Sequence, residues 1–246
     1  MNFKNIIGIF YLIIEFFTTA FSVVNFKIFL NDQRGALVLP IDGITIEDND
    51  WIKYKSLKLN SHIEPINPDD LPNDFCDNAC KLVDEFRRKT VDEKVEWMLY
   101  FDYKTGEIIY CWQGEVGKCV GDFKREYFEG RNISSIHSHS RDYYSFPSPD
   151  NFDILENDFE DYEIITSINA FWIVEFKGHV ASTIRENFQT NLSIEFNKIE
   201  NDIKLLYNDK FTIQNNIEYI CSNYLQNCVD KIFGNIELNM LKKEFN

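Results

Sequence analysis

The chain has 246 residues, enough to bury a sizeable hydrophobic core, and 44% of them are hydrophobic. Its 40 acidic and 25 basic residues give a formal net charge of -15, with no dense run of lysine and arginine. The phosphate backbone of a nucleic acid would be repelled by this excess of negative charge, so we expect no nucleic-acid partner.

The first distinct stretch is the apolar segment 6–24, nineteen residues whose single charge is Glu15. Its length is close to what a helix needs to span a bilayer, but a carboxylate at the midpoint costs a few kcal/mol there. Two interpretations stay open. The segment is a signal or membrane anchor of an exported or membrane-associated protein, or it is a buried helix or strand of a cytoplasmic one.

The rest of the chain divides at a proline-rich linker. Residues 25–39 have a strand pattern, the stretch that follows is turn-rich and acidic, and residues 61–74 carry three of the six prolines. We therefore divide the chain into an N-terminal apolar segment, a region of strands and linker, a central domain and a C-terminal helical extension. Their bounds are 1–24, 25–74, 75–180 and 181–246.

The central domain alternates helical and strand patterns. A helix is predicted over 77–90, because its apolar residues recur on one face. A hairpin is predicted next, from two strand-like runs on either side of a glycine turn. The predicted strands are 95–102, 107–112, 132–137, 163–167 and 170–176, and helical patterns are predicted from 183 onward and over 217–245.

Two histidines one residue apart end the predicted strand over 132–137. Residues i and i+2 of a strand face the same side, so His137 and His139 would form a chelating pair. After a loop, Ser148-Pro149-Asp150 has the pattern of a helix start, which brings an acidic residue close in sequence. Two histidines, one carboxylate and an open fourth position are typical of catalytic zinc. A histidine pair alone is also common as ordinary surface or core residues.

The order of these elements resembles the JAMM (MPN) metalloprotease family over about residues 75–177. The shared pattern is a strand, H-x-H, a loop with P-S, a helix bearing an acid, and a strand pair, here EIITSINAFWIVEF. The resemblance implies an α/β fold of cytidine-deaminase-like type, with a mixed sheet flanked by helices. It also implies a zinc-dependent metallopeptidase or isopeptidase that hydrolyses an amide bond with metal-activated water. The expected substrate is a protein or peptide, with ubiquitin-like proteins as the family's typical class.

The same resemblance assigns roles to individual residues. His137 and His139 would be zinc ligands. Glu96, at the start of the first hairpin, would be the general base that takes a proton from water and passes it to the leaving amine. Ser148 would donate a hydrogen bond to the oxyanion of the tetrahedral intermediate.

The third zinc ligand has more than one candidate. The family's spacing of eleven residues after the second histidine assigns Asp150, which we take as the ligand. Its spacing of three residues after the serine, and the phase of the predicted helix, assign Asn151 instead. Asp153 is a further candidate. A neutral amide is a much poorer zinc ligand than a carboxylate, so Asn151 in this position would weaken or abolish metal binding.

Two functional interpretations besides a hydrolase are compatible with the sequence. The chain could be a catalytically inactive JAMM-like binding or scaffold module, which Asn151 favours and the retained histidine pair disfavours. It could also be an unrelated α/β domain in which the histidines are incidental. For the general base, Glu93 and Glu107 are nearby alternatives to Glu96.

Overall fold

The structure is a computed structural model, and it describes residues 48–119, 125–141, 144–155, 159–176, 182–233 and 238–245. The apolar segment 6–24 and the strands predicted over 25–39 lie outside these ranges. Within them, every helix is too short or too polar to cross a membrane.

A six-stranded mixed sheet forms the centre of the described part of the chain. Its strand order is β2-β1-β3-β4-β5-β6, and every neighbouring pair is antiparallel except β3 and β4. A parallel pair needs a crossover connection, and here that connection carries the residues that follow the histidine pair. The strands are β1 (Trp97–Asp102), β2 (Glu107–Gln113), β3 (Ile133–Ser138), β4 (Glu160–Thr166), β5 (Ala170–Phe176) and β6 (Leu238–Glu244).

Four α-helices accompany the sheet in the described residues: α1 (Asp48–Ser56), α2 (Asp77–Thr90), α3 (Ser182–Leu206) and α4 (Lys210–Phe233). The predicted helix over 77–90 is confirmed, and its buried face includes the apolar residues Val83 and Phe86. The sequence did not predict α1, which begins inside a stretch that we expected to be turn-rich. The predicted α/β class, a mixed sheet with helices, is confirmed.

Helices pack on both faces of the sheet. Trp172 on β5 belongs to one apolar cluster with residues of α3 and α4, among them Leu192 and Leu225. Its neighbour Phe171 points to the opposite face, because side chains alternate along a strand, and there it contacts Phe245. The guanidinium of Arg87 on α2 lies 3.6 Å from the centre of the Phe245 ring, so α2 covers that second face.

Two predicted helices have a different structure. The C-terminal part of the pattern over 217–245 is strand β6, not helix, because it pairs along its whole length with the edge of β5. The helix predicted to start at Ser148 is a 3-10 helix of seven residues, Pro149–Leu155. Its first turn is closed by the N-H of Asn151 donating to the carbonyl of Ser148 at 3.1 Å, an i to i+3 bond rather than an α-helical one.

Candidate metal centre

The end of β3 brings the two histidines together. Met98 of β1 and Ile165 of β4 flank His137 in the sheet, and His139 continues the chain by donating its N-H to the carbonyl of Thr166 at 2.7 Å. Only 4% of His137 and 7% of His139 is exposed, and their ring centres are 5.1 Å apart. The predicted histidine pair is therefore a buried pair at the edge of the crossover.

The tautomer of His139 follows from its hydrogen-bond partner. Its Nδ1 lies 2.6 Å from the carbonyl oxygen of Tyr144, which can only accept, so Nδ1 carries the proton. Burial lowers the pKa of His139, although the bond to the Tyr144 carbonyl acts in the opposite direction. The ring is therefore neutral at physiological pH and keeps its lone pair on Nε2.

His137 has the same tautomer for a different reason. The backbone N-H of Ser148 donates to Oδ1 of Asn151 at 2.6 Å, which orients the Asn151 amide so that its Nδ2 faces His137 at 3.1 Å from Nε2. Because Nδ2 can only donate, Nε2 of His137 accepts and the ring proton is on Nδ1. Burial, and then the neighbouring His139, hold the pKa of His137 well below its ordinary value. Nε2 is the atom by which such a tautomer binds a metal.

A buried glutamate that the sequence analysis missed lies behind His137. Oε1 of Glu163 is 3.4 Å from Nδ1 of His137 and 3.3 Å from Nδ2 of Asn151. A neutral His137 cannot form an ion pair, and its Nδ1 has no hydrogen-bond partner among the described residues, so the first contact is a polar approach only. Metal-binding histidines commonly direct Nδ1-H at such a carboxylate. The sequence offered little signal for it, because the strand EDYEIIT holds three acidic residues and nothing local distinguishes Glu163 from the other two.

The candidates for the third zinc ligand lie in different surroundings. Asp150, which we assigned from the family spacing, is exposed to solvent, whereas Asn151 contacts His137. The 3-10 turn and the bond from the Ser148 N-H set this register. The position beside the histidines is therefore held by an amide rather than by the Asp150 carboxylate. The side chain of Asp153 lies outside the part of the chain that the structure describes.

The Ser148 hydroxyl is already engaged. It donates to Oδ1 of Asn151 at 3.0 Å. A hydroxyl has one proton to donate, so the predicted bond to an oxyanion requires Ser148 to turn away from Asn151.

Glu96 lies immediately before β1. The pairing of β1 with β3 starts at Met98 and His137, and the same antiparallel register continued by two residues would bring Glu96 opposite His139, on the same face of the sheet. Its backbone is held by hydrogen bonds to Gly114 and Glu115, and only 7% of the residue is exposed. Burial raises the pKa of the Glu96 carboxyl from its ordinary 4.5 to about 7.

The two alternative candidates for the general base, Glu107 and Glu93, lie in different surroundings from Glu96. Glu107 is at the far end of the hairpin, paired with Asp102, and its carboxylate binds Arg131 at 2.8 Å. Glu93 is half-buried in the turn before β1.

How well zinc would fit depends on the side chains that could coordinate it. In the described residues, no three or more His, Cys, Asp and Glu side chains are grouped to hold a metal ion. The histidines have the tautomers of ligands, but the N-H group of Asn151 Nδ2 faces Nε2 of His137 and the Asn151 oxygen accepts from Ser148. The residues therefore fit zinc with a neutral third donor only if the Asn151 amide turns its oxygen towards the histidines. No family model, curated protein or solved structure matches the chain.

Proposed function

We propose that the chain is a zinc-dependent amide hydrolase with a JAMM-like site. The observation that carries the proposal is the common tautomer of the two buried imidazoles. His137 and His139 each keep the proton on Nδ1 and a lone pair on Nε2, and both rings are neutral. Neutral imidazoles held in this way by outer partners are suited to binding a metal.

Zinc would be held by Nε2 of His137 and Nε2 of His139. The Asn151 amide would have to turn over, which frees Nε2 of His137 and presents the Asn151 oxygen as the third donor. When bound, zinc would act as a Lewis acid and bring the pKa of water near neutrality. The Asn151 oxygen accepts two hydrogen bonds from Ser148 and carries no charge, so we expect weaker binding than at a site with a carboxylate ligand.

Glu96 supplies the acid-base chemistry in this proposal. A group with a pKa of about 7 exchanges its proton readily at neutral pH, which suits a residue that first takes a proton and then returns it to a leaving amine. The resemblance to JAMM enzymes supports a protein or peptide substrate, with ubiquitin-like proteins as the class to examine first.

A specific contact favours a second candidate, a catalytically inactive binding module. If residue 151 were an aspartate, its carboxylate and Nε2 of His137 would be two acceptors facing each other, which needs a proton or a metal between them. With Asn151 a donor faces an acceptor at 3.1 Å, and the pair is satisfied as it stands.

Hydrolysis of an isopeptide-linked ubiquitin-like substrate by the full chain, with zinc added, tests the proposal. Glu96→Gln should lower kcat by about 100-fold or more, because it removes the proton acceptor. Glu93→Gln, the matched control from the preceding turn, should leave kcat unchanged. Equal hydrolysis by the wild type and Glu96→Gln would contradict the assigned base. No hydrolysis by the wild type, with activity appearing in Asn151→Asp, would favour the binding module.

A further inference from the structure

The helical pair α3 and α4 is joined to the loop that follows His139. On α4, the carboxylate of Glu218 accepts the backbone N-H of Ser145 at 2.8 Å and also the Ser145 hydroxyl. Ser145 is 6% exposed, so these bonds are shielded from water. Phe146 packs edge-on against Phe196 of α3, with ring centres 5.0 Å apart. The C-terminal helices therefore hold the loop whose Tyr144 carbonyl contacts His139.

One peptide group connects Glu218 to His139. The N-H that Glu218 accepts and the carbonyl that accepts His139 Nδ1-H belong to the same planar unit, the peptide between Tyr144 and Ser145. A planar peptide fixed at its N-H cannot rotate its carbonyl independently. The two hydrogen bonds also polarise the unit in the same direction, so each strengthens the other.

We propose that Glu218 is a positioning residue for His139. Its carboxylate fixes the Tyr144–Ser145 peptide, the carbonyl of that peptide holds the proton of His139 on Nδ1, and Nε2 is left as the lone-pair atom. The arrangement is a carboxylate-histidine pair with a peptide group inserted between its members. Its consequence for zinc rests on the proposed function, whereas its consequence for the tautomer does not.

The matching variants separate the geometry from the charge. Glu218→Ala removes both acceptors of Ser145. Glu218→Gln keeps one oxygen for the Ser145 N-H, and its amide N-H can donate to the Ser145 hydroxyl oxygen, so the peptide stays fixed. Glu186→Gln is the control on α3, since its carboxylate is exposed and lies 3.9 Å from Arg185.

The tautomer of His139 in the full chain is measured by long-range nitrogen-proton correlation NMR of ¹⁵N-histidine-labelled protein. We expect the Nδ1-H form in the wild type, Glu186→Gln and Glu218→Gln. In Glu218→Ala we expect a mixture containing the Nε2-H form, which free histidine in water favours. If Glu218→Ala does not fold, Glu218→Leu, which retains side-chain volume, carries the same expectation. A folded variant of either kind with wild-type His139 signals would overturn the proposal.

Titration with zinc alone gives the second readout. If the wild type binds zinc, Glu218→Ala should bind it about 10-fold to 100-fold more weakly, as for the outer partners of metal ligands in general, and Glu218→Gln should stay close to the wild type. Unchanged zinc affinity in folded Glu218→Ala would contradict the positioning role. A wild type that binds no zinc would refute the proposed function, and the NMR result would still decide the role of Glu218.

Discussion

Replacing the buried Glu96 by glutamine should make the protein more stable at neutral and alkaline pH. Burial raises the pKa of this carboxyl from 4.5 to about 7, so the folded protein holds the Glu96 proton more tightly than the unfolded chain does. The charged form is therefore disfavoured in the fold. The free-energy cost of holding the charged carboxylate in the folded protein is absent below pH 4.5, grows as the pH rises towards 7, and is constant above pH 7. Each pKa unit is worth about 1.4 kcal/mol, so the full cost is up to about 3 kcal/mol.

Urea denaturation of the full chain between pH 4 and pH 8.5 measures this effect. The difference in the free energy of unfolding between Glu96→Gln and the wild type should be near zero at pH 4 and up to about 3 kcal/mol above pH 7. Glu93→Gln removes the same charge from a half-buried turn and should differ from the wild type by about 0.5 kcal/mol or less. A Glu96→Gln difference that does not change with pH would refute the reasoning that burial raises this pKa.

Four further substitutions test the packing by the same urea assay. Arg87 is fully buried and donates to three backbone carbonyls, so Arg87→Met should cost about 3 kcal/mol or more, and a cost below about 1 kcal/mol would contradict that role. Gly106 and Gly130 both have positive φ. A Cβ added at Gly106 would lie 2.6 Å from the Cβ of Asn78, whereas a Cβ added at Gly130 would have no atom of the described residues, its chain neighbours aside, within 4 Å. Gly106→Ala should therefore cost more than Gly130→Ala, and equal costs would contradict the crowding. Leu225→Ala should cost about 2–5 kcal/mol by opening a cavity between α4 and the sheet, whereas a surface-like cost of about 0.5 kcal/mol would show that this contact is not buried.

The elements that the sequence predicted well are those with strong local periodicity. Helix α2 has one apolar face and a capping residue, Cys76, whose sulfur accepts the N-H of Ala79. The first hairpin turns at Gly106, whose φ of +77° favours glycine. In each case the signal lies within about fifteen residues, so the sequence carries it without help from the rest of the fold.

The features that the sequence did not predict depend on distant partners. Strand β6 has a segment pattern that suits a helix as well, and the free edge of β5 decides between them. The choice between Asp150 and Asn151 depends on a single residue of register, which the 3-10 turn sets. Glu163 approaches His137 from another strand, and Glu218, 79 residues beyond His139, binds Ser145 next to the carbonyl that holds His139, so no local spacing reveals either residue.

A zinc site at His137 and His139 is tested most directly by the zinc content of the full chain, measured by plasma mass spectrometry after equilibration with excess zinc and removal of unbound metal. We expect zinc in the wild type that is lost in His137→Ala/His139→Ala, and a content closer to one per chain in Asn151→Asp, because a carboxylate completes the donor set. Equal zinc content in all three proteins would contradict a metal site at the histidine pair. Zinc in Asn151→Asp alone would show that the natural chain has lost the site.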